Sequence, residues 1–173
     1  DKSAQEIYED LERLMTSAPF EGRKSDAERI AIKAKYLKAV NPNMVTKLWK
    51  SPSMTLSPVD GVTVSKETNL FAWLHKELNE GEDVELSWVG HIVTLTGIWR
   101  CDDSSTTESS ASPRDSDDTW CFKYRDDEAQ DLLGDKGEKT GVMKRMPDGK
   151  IIAKRGKRAD KEVMFAVSES FVP

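Results

Sequence analysis

Apolar residues recur at helical spacing in the first half of the chain and alternate with polar ones in the second. Ala4, Ile7, Leu11 and Leu14 return every three or four positions, and Ser3 followed by Glu6 is a capping box. This spacing predicts a one-sided helix over 4–16, with Tyr8 bordering its apolar face. Pro19 and Gly22 break the pattern. Ser25 and Glu28 then repeat the cap ahead of Ile30, Ala34 and Leu37, and a second helix follows. From Asn41 through Gly61, Pro42, Pro52 and Pro58 remove backbone donors and restrict the residues before them. A long irregular connection is expected there, with Met44, Val45, Leu48 and Trp49 as a short anchoring turn. Leu70, Phe71, Leu74 and Leu78 mark a third helix, stopped by Asn79, Glu80 and Gly81.

The period then changes. Val84, Leu86 and Trp88 alternate with polar residues, and Ile92 to Trp99 is rich in β-branched side chains. Further strands are expected at 119–125, 140–146, 150–155 and 162–168, with Asp148 and Gly149 turning Met143 to Ala153 into a hairpin. Helices first and an antiparallel-rich sheet second make an α+β domain. A chain of 173 residues suits one such domain, and residues 1–173 are read as that domain or its C-terminal portion.

Charge refines this picture. The 31 acidic and 26 basic side chains leave a formal net charge of -5, which gives no global field to attract nucleic acid or an anionic membrane. No stretch approaches the roughly 20 consecutive apolar residues that span a bilayer. Locally the balance swings. Asp102 to Asp118 carries six acidic residues against Arg114 and is rich in Ser and Thr, which predicts an exposed acidic loop insertion over 102–118. Residues 139–161 carry nine Lys or Arg against Asp148 and Asp160. The run Lys154, Arg155, Lys157, Arg158 and Lys161, extended by Lys144 and Arg145, could follow phosphates only if those charges shared one groove. No aromatic RNA-recognition motif, zinc-finger spacing or helix-turn-helix pattern accompanies them, so nucleic acid is not an expected partner.

Cys101 and Cys121 flank the acidic stretch at the ends of two expected strands. A disulfide between them would close the excursion, contributing about 3 kcal/mol if unfolded-state entropy dominates. Two free thiols, or one reactive thiol, are the alternatives. The two Cys and two His are scattered without metal-ligand spacing, so no metal or other cofactor is expected.

Gly90 and His91 introduce the strand-like run Ile92 to Thr96. An imidazole at a strand start can project into a cleft and exchange protons near neutral pH. Asp126 and Asp127, following Tyr124 and Arg125, could orient it if the two strands are neighbours; a structural histidine fits the same spacing. His75 sits inside the third helix and reads as a surface or core-edge residue. Ser3 reads as a helix cap, since its hydroxyl would need an adjacent base to become a nucleophile. Trp49, Trp73, Trp88, Trp99 and Trp120 read mainly as packing residues, some of which could line a substrate groove.

Three short words carry a resemblance: GEDVELSW at 81–88, GHIVTLTG at 90–97 and FKYRDD at 122–127. Their order resembles the papain-like cysteine peptidases, especially the bacteriocin-processing type and related secreted peptidases. The resemblance implies a papain-like α+β fold with N-terminal helices packed against the sheet. It implies His91 as the imidazole base, Asp126 as its orienter and Asp127 as the nearby alternative. The family's nucleophilic Cys begins the first long helix, whereas the first Cys here is Cys101, so the nucleophile would belong to a preceding segment or chain. The expectation is therefore part of a secreted or extracytoplasmic cysteine peptidase that hydrolyses peptide bonds in a peptide or protein substrate. Two alternatives stand beside it. One is a catalytically inactive peptide- or protein-binding domain of that fold. The other is a secreted, disulfide-stabilised interaction protein that makes contact through the acidic loop or the basic hairpin.

Overall fold

The computed structural model describes residues 3, 5, 6, 9, 10, 13, 25–88, 91–101, 118–125, 138–155 and 158–171, with backbone alone at 155, 158 and 171. The chain divides into two compact units, one formed by Asp1–Thr46, Leu56–Thr63 and Ser170–Pro173, the other by Lys47–Thr55 and Val64–Glu169.

In the first unit, residues 5, 6, 9, 10 and 13 are helical. Ser3 caps them: its Oγ accepts from the Glu6 N–H at 3.3 Å, and its own N–H donates to the Glu6 carboxylate at 2.7 Å. Helix α1 (Asp26–Val40) starts with the same reciprocal box between Ser25 and Glu28 and buries Ile30, Ile32, Ala34 and Tyr36. The Tyr36 hydroxyl donates to Asp10 Oδ2 at 3.3 Å. Strand β1 (Met44–Lys50) follows where an irregular connection was expected, and runs from this unit into the second. Pro42 and Pro52 lie outside it, so no ladder donor is lost within β1.

The second unit is a closed barrel. After β2 (Val62–Val64) and helix α2 (Leu70–Asn79) come β3 (Asp83–Trp88), β4 (His91–Arg100), β5 (Thr119–Arg125), β6 (Glu138–Arg145), β7 (Ile151–Arg155) and β8 (Arg158–Phe171). The sheet order is β2-β1-β8-β3-β4-β5-β6-β7, and β8 also pairs with β7, so β3 to β8 close into six antiparallel strands. Closure removes the free edges that an open sheet would present to other chains.

Alternation fixes which side chains point inward. Val84, Leu86 and Trp88 on β3 pair with Leu95, Val93 and His91 on β4, and all three β3 side chains are buried. The register shifts after Leu95, and Ile98 then pairs with Phe122, so the inward set continues on β4. A second shift lies between Ser87 and Trp88 where β3 meets β8. Such bulges bend strands enough to close a small barrel. Trp120, Phe122 and Tyr124 of β5, Met143 of β6, Ile151 and Ala153 of β7 and Val163 and Ala166 of β8 complete the core.

Helix α2 packs at the end of the barrel where β3 and β5 begin. Asn69 caps it by accepting from the Phe71 and Ala72 N–H groups, and its apolar face buries Leu70, Phe71, Trp73 and Leu74. The Phe71 ring stacks on Trp120 at 5.5 Å between centroids. Glu77 lies on the same face, 1 % exposed, and accepts from Ser168 Oγ at 2.8 Å and Lys47 Nζ at 3.0 Å.

This architecture corrects the papain-like α+β expectation. Strands 83–88, 91–100 and 119–125 form where the sequence placed them, but they are consecutive staves of a meander barrel. They are not the sheet of a peptidase lobe.

Candidate functional site

The residues assigned catalytic roles do not assemble into a described site. His91 opens β4 directly opposite Trp88 across the β3–β4 pair, with ring centroids 5.9 Å apart. It is half-buried at the barrel end opposite α2, above an aromatic cluster in which Tyr124 meets Trp88 edge-on at 5.7 Å and stacks on Phe122 at 5.3 Å. Asp126 and Asp127 lie outside the described residues; β5 is described to Arg125, which pairs with Thr94.

The thiols have a different role. Cys101 and Cys121 form a disulfide with a Cα–Cα distance of 5.0 Å, and no free cysteine remains. It ties Cys101, just past the end of β4, to Cys121, the third residue of β5, which pairs with Trp99 across the ladder. This is the disulfide expected from the sequence. The barrel topology, in which the strands of the supposed His and Asp words are staves of a closed meander, overturns the cysteine-peptidase reading and the protease and hydrolase classes that came with it. A disulfide fits an oxidising, extracytoplasmic environment.

His75 sits on α2, its Nδ1 3.1 Å from Nδ2 of Asn79 one turn on. Among the described residues no group of three or more His, Cys, Asp or Glu side chains is arranged to hold a metal ion. Among them, too, no helix is long and apolar enough to cross a membrane.

A shaped surface lies at the stapled end of the barrel. The β6–β7 hairpin turns through Met146 to Lys150, where Gly149 at φ +82° donates its N–H to the Met146 carbonyl at 2.9 Å and the Met146 N–H donates to the Lys150 carbonyl at 2.8 Å. Asp148 Oδ1 accepts from the Lys150 N–H at 3.2 Å, and Oδ2 lies 3.2 Å from the Lys150 ammonium. That backbone donor first, and the ammonium next, hold the Asp148 carboxyl below its ordinary range; the carboxylate in turn raises Lys150.

Neighbouring chain braces the turn. A Cβ at Gly149 would lie 3.5 Å from Cγ of Pro52, and the flanking Ser51 and Ser53 hydroxyls both donate to Glu162 Oε1, Ser51 at 2.8 Å. On the other side, the Arg145 N–H donates to the Asp118 carbonyl at 2.7 Å, and its Nε lies 3.3 Å from Asp118 Oδ1. Between these braces opens a cleft of about 820 Å³ lined by Asp118, Lys144, Arg145, Met146, Pro147 and Gly149. Lys144 is exposed and Met146 is 38 % exposed.

The cleft unites two stretches that stand apart in the sequence: Asp118 is the last residue of the stretch expected as an acidic loop, whose residues 102–117 lie outside the described ones, and Arg145 belongs to the basic region. The opposite charges of those stretches were the legible signal, but which residues meet depends on the β5–β6 register, Thr119 against Lys144. Among the described residues, Lys154 and Lys161 do not both join it. Ala153 pairs with Lys161 and Val142 with Lys154, so Lys154 and Lys161 stand on opposite faces of the sheet.

Comparison with known proteins finds no matching family, no matching curated protein and no matching solved structure. The architecture therefore defines the class by itself: a disulfide-stapled six-stranded meander barrel with a cationic cleft beside the staple.

Proposed function

We propose that this chain is a secreted or extracytoplasmic interaction domain whose contact surface is the cleft at the β6–β7 hairpin. One observation carries the reading. Exposed Lys144 and Met146 stand beside Arg145 and Pro147 on a turn held by its own hydrogen bonds and by the Arg145–Asp118 contacts. A surface held in one shape before binding loses less conformational entropy when a partner docks. Methionine adapts its flexible side chain to the apolar part of a contact, and the cations supply orientation and encounter rate. The disulfide supports the same end of the barrel by holding β4 to β5.

The test is selection of displayed peptides on the oxidised protein, followed by challenge with the Lys144→Glu/Met146→Glu variant. Both positions are exposed, so the variant should fold. Selected peptides that lose binding to it support the reading; a selection dominated by peptides indifferent to the variant overturns it.

A further inference from the structure

We infer that the cleft receives an acidic segment of a partner protein, its carboxylates interrupted by apolar side chains, and that Asp118 holds the Arg145 guanidinium as an internal competitor for that segment. This deepens the reading above and rests on it.

The chemistry of the lining selects the partner. Lys144 is exposed and, among the described residues, makes no ion pair. Arg145 already shows which ligand its guanidinium takes at this location, because a carboxylate from the same chain lies on its Nε. The side chain of Asp118 is 63 % exposed, so this pair is weak and can exchange. Beside the cations, Met146 and Pro147 offer apolar surface. A segment of protein with a carboxylate for Lys144, an apolar side chain for Met146 and Pro147, and a further carboxylate able to replace Asp118 on Arg145 is complementary to this lining. A nucleic acid fits less well. Asp118 sits among the lining cations, and among the described residues Lys154 and Lys161 stand on opposite faces, so these two do not extend the cleft's charge as a track along a phosphate backbone.

Asp118 would then regulate the site. An incoming carboxylate must displace it from Arg145, while its charge repels acidic partners at a distance. The tether also matters: a group already in the chain competes at high effective concentration, so even a weak internal pair sets a threshold that feeble acidic ligands do not cross.

The experiment measures fluorescence anisotropy of a labelled synthetic peptide of alternating aspartate and leucine, with a labelled single-stranded oligonucleotide in parallel. The proteins are wild type, Lys144→Glu, Asp118→Asn, Arg145→Gln and the Asp118→Asn/Arg145→Gln double variant. The expected result is salt-sensitive peptide binding, weakened about tenfold by Lys144→Glu and tightened about threefold by Asp118→Asn, the scale of an exposed ion pair and of a reversed rim charge. The gain should vanish in the Arg145→Gln background. Peptide binding that needs Lys144 but is unchanged by Asp118→Asn, or a gain that persists without Arg145, overturns the competitor role and leaves the contact surface standing. Oligonucleotide binding tighter than peptide binding and abolished by Lys144→Glu overturns the partner class. Peptide binding indifferent to Lys144→Glu overturns the cleft itself.

Discussion

Phe122 lies over Gly141, its partner across the β5–β6 ladder: a Cβ at position 141 would sit 2.7 Å from ring atoms Cε1 and Cζ. It would also sit 2.9 Å from the carbonyl oxygen of Lys154, so backbone blocks the only other direction of relief. The glycine thus makes room for an aromatic ring in the interior of a small barrel. Gly141→Ala should cost about 1–3 kcal/mol in urea-unfolding stability, the range for overpacking a filled core. Phe122→Leu in the same chain should recover part of that loss, giving a coupling of about 1 kcal/mol in a double-mutant cycle. Equal stability of wild type and Gly141→Ala would show that the ring is not held there.

The buried Glu77 needs its lysine. Its carboxylate is 1 % exposed and bound by Lys47 and Ser168. Lys47→Met should destabilise by about 3 kcal/mol, the low end for breaking a buried pair, because the Lys47 side chain keeps 26 % of its exposure. Glu77→Gln in the Lys47→Met background should return part of this, since a neutral amide is cheaper to bury than an unpaired carboxylate. Chemical denaturation of the three variants checks it.

The same pair predicts an alkaline limit. Burial lowers the Lys47 pKa, but its hydrogen bond to Glu77 and the attraction of Glu77 and Glu80 outweigh burial and leave it above 10.5. A lysine raised on folding contributes stability that is complete below its unfolded value and is lost as pH climbs through the raised folded value. Between pH 9 and pH 12, on the scale set by an ordinary lysine pKa of about 10.4, wild type should therefore lose stability more steeply than Lys47→Met. Parallel curves would remove Lys47 from the account.

Loss of the staple should be felt as a change in stability with the fold retained. Cys101→Ser/Cys121→Ser opens a loop with a sequence separation of 20. The expected loss is about 3 kcal/mol from the unfolded-state entropy of such a loop. The far-UV circular dichroism should stay that of the barrel, because six paired strands and the core around Trp88, Phe122 and Trp120 do not depend on the bridge for their register. A random-coil spectrum for the variant would contradict this division of labour.

The staves of the barrel were readable one by one, and their closure was not. Val84, Leu86 and Trp88 alternate because one face of β3 is buried, and Leu70, Phe71 and Leu74 recur because α2 is one-sided; both are local signals. Glu77 shares that spacing, seven residues after Leu70 on the buried face, but as a charged residue it was not among those expected there. Closure depends on β8, already paired with its sequence neighbour β7, also pairing with β3, a long-range register that no short window encodes. Strand β1 was hidden by the prolines around it, although Met44 to Lys50 contains none. The peptidase resemblance failed for a related reason. GHIVTLTG is what a strand leaving a tight hairpin looks like, with Val93 and Leu95 inward and polar or β-branched residues between them, and such words carry strand geometry without strand order. Of the cleft, the charges were visible in the sequence; the meeting of Asp118 with Arg145 required the sheet.

The most direct test of the central claim is an amide correlation spectrum of the isotope-labelled, oxidised protein during titration with the alternating aspartate-leucine peptide. The account predicts saturable shifts centred on Asp118, Lys144, Arg145, Met146 and Gly149, with the interior residues Leu86, Phe122 and Ala166 unmoved. Shifts centred on His91 at the opposite barrel end, or none at the hairpin at saturating peptide, would contradict it.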